Sequence, residues 1–416
     1  MKEWINKIKN APFIFIFLIA LIIYFPLSIS RPAETNVRGV ITAVAFDSAE
    51  NNEIQTSVIM LTPLENTSFS QTNAIITAKG DTVANTFTKL GLYVGKTVAL
   101  AHTEIIMISE ELASRNLAEL LNFIGRSTDI SNNTPIVIAE GQAKALLDST
   151  QKLSKSTGLN LQEIISYNES STLSVTTTLE AFYKSYYSEN SASVLSLVKL
   201  VGEDECGIST GQTSGQNSNQ DSSSNIGVQE KEKNKLIDND GSSVLIKDGK
   251  MLHKLSPSQT RGLEWVDKVS VTGFLEIENV TTEDLEDAKL TFEVRNKRVK
   301  YSSRIQDNTP VILIDVNVDL ELVEVFQNNK KISSFDATNT FINKKISDLI
   351  EHKIKQEFSS ALKVLKDNNA DAVGAYDILY AQNKKEFKKY LKSLENKNDY
   401  LKNVSFRVIV NSNEYI

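Results

Sequence analysis

His102 and Glu104, in "HTE", are the best pair in the chain for general acid–base work, because alternation along a strand would put both side chains on one face. Alternation alone carries little weight, and no third group in the sequence orients the pair. The other histidines, His253 and His352, lie far off in the chain, and none belongs to an HExxH pair. A single cysteine, Cys206, excludes a thiolate metal cage and an intramolecular disulfide. "GLYVGKT" approaches a phosphate loop, but Gly91 and Gly95 enclose one residue too few, and the surrounding periodicity is helical. There is no GxSxG elbow. These residues predict no enzyme, no catalytic residue, no metal site and no cofactor.

The elements that would position such residues read as a mixture. "VRGVITAVAFD" and "EIQTSVIML" are β-branched runs that predict two paired strands. Asp81 is the expected cap of a helix whose buried face carries Val83, Phe87, Leu90 and Val94. "TEIIMIS" predicts a buried strand. "EELASRNLAELLNFIGR" predicts one amphipathic helix bearing Leu112, Leu117, Leu120, Leu121 and Ile124, and "TPIVIAEG" a further strand.

From Gln142 to Leu200 the pattern predicts mainly helix, in "QAKALLDSTQKL" and "LEAFYKSYYSENSASVLSLVKL". Residues 203–240 are polar and glycine-rich, too poor in apolar surface to offset ordering entropy, and predict a flexible linker or insertion. "KDGK" predicts a turn between two strands. "SPSQTRGLEWV" predicts a helix capped by Ser256 with Pro257 at its first position.

"VILIDVNVDLELVEV" alternates, with Ile312, Ile314, Val316, Val318 and Leu320 on one side and Asp315, Asn317 and Asp319 on the other, as in an antiparallel strand with one wet face. A long helix is expected from about Asp336 to Lys366, then an alternating strand in "VSFRVIVNS". The lysine-rich stretch 383–397 predicts an ordinary solvated helix lined by Phe387, Tyr390, Leu391 and Leu394.

The fold class expected is α+β, with about three mixed antiparallel-sheet and helix domains behind an N-terminal membrane helix. The divisions are 1–30 as the anchor, 31–141 as an N-terminal α+β domain, and 142–202 with 241–268 as a largely helical middle domain. Residues 203–240 are the linker and 269–416 a C-terminal α+β domain.

"PFIFIFLIALIIYFPLSIS", Pro12 to Ser30, has no charged side chain, and Lys2, Lys7 and Lys9 before it favour a cytoplasmic start and an exported remainder. Its length just suffices to span a bilayer. Pro26 shortens the apolar helix toward the length of a signal-peptide core, and Ser28 and Ser30 have cleavage-site spacing, so residue physics leaves anchor and cleaved signal open. A net charge of -7 offers no general attraction for nucleic acid, and none is expected as a partner. The 41% apolar and 23% charged content is that of a globular chain.

Three blocks resemble the Ger(x)C family, the C subunit of spore nutrient-germinant receptors. They are "GDTVANTFTKLGLYVGKTVALAHTEIIMISEELASRNLAELLNFIGRSTDISNNTPIVIAEGQAKALL", "SSVLIKDGKMLHKLSPSQTRGLEWV" and "INKKISDLIEHKIKQEFSSALKVLKDNNADAVGAYDILYAQNKKEFKKY", in the family's order and spacing. The resemblance implies a non-enzymatic protein of three mixed domains on the outer face of the spore inner membrane, working with the integral membrane A and B subunits. It also points to His102, Glu110 and Glu111 in the first block, Thr260, Arg261 and Gly262 in the second, and Asp371 and Gly374 in the third, as structural or interface residues.

The family's lipid-bearing cysteine has no match here, so the N-terminal helix is the expected tether. Arg261 should seek a carboxylate, since a guanidinium early in a helix opposes the helix dipole. An exported ligand- or peptidoglycan-binding envelope protein is the alternative, and an extracytoplasmic hydrolase the least supported reading.

Overall fold

The first two β-branched runs pair as expected. β1 (Arg38–Ser48) lies antiparallel to β2 (Ile54–Pro63), which pairs in turn with β3 (Gln71–Gly80). The computed structural model describes residues 38–415 apart from 64–70, 116, 127–128, 158–174, 189, 203–234, 269–272, 284, 328–329 and 333–342. The expected membrane helix of residues 1–30 and most of the expected linker therefore lie outside the described residues. Among those described, no helix is long and apolar enough to cross a membrane.

Helix α1 (Val83–Val94) is capped by Thr82, not by Asp81: the Thr82 hydroxyl accepts from the Asn85 amide at 3.2 Å. It ends where Gly95 turns left-handed, φ 64°, and the Gly95 amide donates back to the Gly91 carbonyl. The two glycines of the near-phosphate-loop thus belong to a helix terminus.

β4 (Thr97–Ala99), β5 (Ile105–Ser109), α2 (Glu110–Arg115), α3 (Leu117–Arg126), β6 (Pro135–Ala139) and α4 (Ala143–Thr157) follow. The expected second helix is described as two, and its leucine and isoleucine stripe is buried throughout.

The region expected to be largely helical corrects that expectation. After β7 (Thr177–Thr178) and α5 (Leu179–Tyr186), "SVLSLVKLVG" forms β8 (Ser193–Gly202), parallel to β6 and antiparallel to β10 (Ser243–Lys247). A short, densely apolar run does not distinguish helix from buried strand by periodicity, and strand pairing decides here. β9 (Lys235–Asp238) pairs with β8, so the last residues of the expected linker are strand.

β10 and β11 (Lys250–Leu255) form the hairpin that "KDGK" predicted, with Asp248 and Gly249 both at positive φ. Strand order in this first sheet is β11-β10-β8-β6-β5-β1-β2-β3. The pairs β1–β5, β5–β6 and β6–β8 are parallel, a run that the expectation of antiparallel sheets missed. Apolar clusters cover both faces. α1, α2, α3 and α5 pack on one and α4 on the other.

Helix α6 (Pro257–Val266) has the predicted start: Ser256 accepts from the Gln259 amide, and Gln259 accepts from the Ser256 amide in return. The second sheet holds β12 (Gly273–Val280), β13 (Ala288–Gln306), β14 (Thr309–Gln327), β15 (Lys330–Ile332) and β16 (Ser405–Tyr415). On β14, Ile312, Ile314, Val316, Val318 and Leu320 are fully buried, and the intervening acids and Asn317 face the wet side. β13 pairs antiparallel with β14, but β16 pairs parallel.

α6, α7 (Lys344–Asp367), α8 (Ala375–Gln382) and α9 (Lys384–Ser393) supply the core over the buried face. α7 starts at Lys344 and not near Asp336, because Asn343 caps it by accepting from the Ile346 amide. α9 buries Phe387, Tyr390 and Leu391 and leaves its lysines exposed, as expected of a solvated helix, but it ends at Ser393, short of the expected 397, with Leu394 already extended. The mixture of sheets and helices is the α+β class expected.

Candidate functional site

Where α6 crosses α7, three neighbouring residues each do a different job. Thr260 faces the first sheet, its hydroxyl 2.7 Å from that of Ser243 on β10. Arg261 finds the carboxylate it needed in Glu357 of α7, a fork in which Nε donates at 2.9 Å and Nη2 donates to the second oxygen. Trp265 Nε1 donates to the same carboxylate at 2.9 Å. Burial would push the Arg261 guanidinium down, but the hydrogen bonds and charge of Glu357 outweigh it and hold it above its ordinary value. Gly262 lets the helices touch, since a Cβ there would stand 2.3 Å from the Glu357 carbonyl oxygen.

A second cluster closes the space between the two sheets. Asp371 is 2% exposed, and its carboxylate accepts from the amides of Ala375 and Tyr376 at 2.9 and 2.8 Å and from the Tyr400 hydroxyl. Burial pushes this carboxyl above its usual range, against the lowering effect of those donors. Gly374, at φ 70°, turns the chain so that the first amides of α8 meet Asp371. The Asp371 carbonyl accepts from the Ala192 amide at the entry to β8, and Lys247 of β10 donates to the Asn369 carbonyl at 2.7 Å. Residues that the sequence assigned to two separate blocks therefore hold one joint between the sheets.

The acids of the first block sit elsewhere, at the C-terminal ends of β1, β5 and β6. There a depression of about 570 Å3 is lined by Asp47, Ser48, Glu110, Glu111 and Arg115, among others. Each acid is engaged. Glu110 pairs with Lys254 at 2.8 Å, Glu111 pairs with Arg115 at 2.7 Å, and Asp47 accepts from the first two amides of α4 at 2.7 and 2.9 Å. Burial pushes the Asp47 carboxyl up, opposed by those amides and by Lys144.

His102 lies apart, exposed in a turn, and Glu104 precedes β5 instead of sharing a strand with it, so the expected alternation does not pair them. His253 and His352 are exposed on β11 and α7. Among the described residues no three His, Cys, Asp or Glu side chains group to hold a metal ion.

Glu357, Tyr400 and Asp47 were missed by sequence reasoning. Only Glu357 left a signal: it falls on the α7 stripe of Ile346, Ile350, Ile354, Phe358, Ala361 and Leu365, where a carboxylate demands a partner.

Comparison with known proteins agrees with the resemblance. Spore germination protein KC of Bacillus subtilis (strain 168) is 19% identical over 322 residues, covering 76% of this chain and 72% of that protein. A solved structure, titled crystal structure of the GerBC protein, aligns at 14% identity with a TM-score of 0.49, over 90% of this chain and 97% of the other. The family model described as spore germination protein N-terminal domain matches residues 32–200, and the one described as spore germination B3/GerAC like, C-terminal, matches residues 240–413. With the two models spanning most of its length, the chain belongs to the Ger(x)C family of spore germination proteins.

Proposed function

We propose that the protein is a non-enzymatic, membrane-tethered extracytoplasmic subunit of a nutrient germinant receptor, acting with integral membrane A and B subunits in spore germination. The observation that carries this reading is how the family's blocks are used. Thr260, Arg261, Gly262, Asp371 and Gly374 all serve helix crossing and sheet joining, with their polar groups turned inward on one another. Residues held in this way make a rigid body whose work is done through its surface and its attachments.

The charge-free run from Pro12 to Ser30 supplies the tether in this reading, in place of a lipid on cysteine. The divisions 1–30, 31–141, 142–202 with 241–268, 203–240 and 269–416 remain the proposed domain scheme, with the middle unit sharing the first sheet.

Co-recovery tests the assembly. Tagged full-length protein, solubilised from spore inner membranes, should bring down the A and B subunits in fixed ratio. Recovery of the chain without them, from spores that contain all three, would remove the receptor reading.

A further inference from the structure

β3 ends at Gly80, level with Ile54 and so with Ser48 at the close of β1. α1 follows, and its 12 residues, at about 1.5 Å rise each, return the chain toward the opposite end of the sheet. There Thr97 and Val98 of β4 pair with Arg38 and Gly39 at the start of β1. The last turn of α1 is held against this start: the Gly95 and Lys96 amides both donate to the Gly91 carbonyl, and a Cβ on Gly91 would stand 3.2 Å from the Lys96 carbonyl oxygen.

That turn carries two large apolar side chains open to solvent. Leu92 is 75% exposed and Tyr93 65% exposed, while Val83, Phe87 and Leu90 of the same helix fill the core. One exposed leucine or tyrosine is ordinary on a protein surface. Here the two are adjacent, beside half-buried Val94 and Val98, and no Asp or Glu occurs from Leu90 to Thr103. Lys96 is the only lysine or arginine in that span, and its long stem can carry an ammonium to the edge of an apolar layer.

What meets this patch follows from where the chain comes from. Only seven residues, 31–37, separate Ser30, the last of the charge-free run, from Arg38 at the start of β1. At full stretch, residues 30 to 38 span at most about 30 Å. In the reading proposed above, on which this inference rests, the run is the membrane tether, so the end of the first sheet that bears Leu92 and Tyr93 is the end held next to the bilayer. Glu50, just past the close of β1, lies about 30 Å away along the strand. Tyrosine, leucine and lysine together suit the interfacial layer, with ring and leucine among the upper acyl chains and phenol and ammonium at the headgroups.

We propose that the last turn of α1 is a lipid-contacting surface: Leu92 and Tyr93 sit in the interfacial layer of the bilayer that holds the tether, with Lys96 at its phosphates. The contact adds a second attachment to the tether. It also fixes which end of the first sheet faces the membrane.

The test uses full-length protein carrying Cys206→Ser and Leu92→Cys, labelled with an environment-sensitive fluorophore and reconstituted in phosphatidylglycerol–phosphatidylcholine vesicles without A or B subunits. Flotation with the vesicles reports the tether, and quenching by lipids spin-labelled at the headgroup or upper acyl chain reports the contact. The label at position 92 is expected to be blue-shifted and quenched, and a label on Glu50→Cys to be neither. Adding Tyr93→Asp, an exposed change that should leave the unfolding temperature in place, should weaken the quenching at position 92. Protein that floats while the label at 92 stays in water, equal quenching at 92 and 50, or quenching indifferent to Tyr93→Asp would overturn the contact and leave the tether standing. A label shielded only when A and B subunits are added would overturn it too, giving the patch to a protein partner. Protein that does not float would remove the tether and this proposal with it.

Discussion

Arg261 is the residue whose need was most legible in advance: a guanidinium early in a helix asks for a carboxylate, and Glu357 supplies it. The identity of the partner was not legible, because it lies on another helix 96 positions away and no local pattern links the two. Glu357 is only 3% exposed, so removing Arg261 leaves a buried charge offset only by Lys353 at 3.8 Å and the Trp265 donor. Arg261→Ala should cost about 3–5 kcal/mol, and adding Glu357→Gln should recover part of that loss. Urea unfolding followed through Trp265, which donates to the same carboxylate, reads both; an effect below about 1 kcal/mol would show the pair to be idle.

Glu264 carries the matching pH prediction. Its folded value of about 7 lies above the ordinary 4.5, so its contribution to stability is fully present below about pH 4.5 and is lost as pH rises through 7. Glu264→Gln should therefore gain on the wild type by on the order of 2 kcal/mol between about pH 5 and about pH 7.5. Asp267 and Tyr301 line the same cavity as Glu264, and Lys297, whose charge opposes the upward push on Glu264, titrates only near 8, above most of that window. A stability difference that stays flat with pH would contradict the assignment.

Elements with a strong local signature were legible: the Ser256–Pro257 start of α6, the "KDGK" hairpin and the alternation of β14 all stand as read. Those whose identity depends on distant pairing were not. β8 reads as helix until β6 and β10 flank it, and the parallel run β1–β5–β6–β8 depends on pairings across long stretches of chain. The α6–α7 crossing shows the same limit at closer range. An alanine in place of a glycine within a helix ordinarily gains up to about 1 kcal/mol from propensity. Gly262→Ala should reverse that sign and lose at least about 1–3 kcal/mol, because its Cβ would drive into the Glu357 carbonyl. A neutral or stabilising result in thermal unfolding would mean that the two helices are not held at this distance.

At the scale of the whole molecule, the candidate site residues sort by what they join. Glu110 and Glu111 are tied at the strand ends of the first sheet, Arg261 and Gly262 fasten two helices over the second, and Thr260 and Asp371 connect the two halves. The sequence blocks named these residues, but only the fold shows that Asp371 and Gly374 build one joint and Thr260 a second contact between the halves, while His102 stands in an exposed turn.

A body built this way, from a family of spore germination proteins, is proposed to serve nutrient germination by assembly. The most direct measurement compares spores lacking the gene with wild-type spores, each given nutrients in one arm and a nutrient-independent trigger in the other, with the restored gene as control. The account predicts loss of the nutrient response alone, recovered on restoration. An unchanged nutrient response in spores with no other receptor of this kind, or an equal defect in both arms, would contradict it.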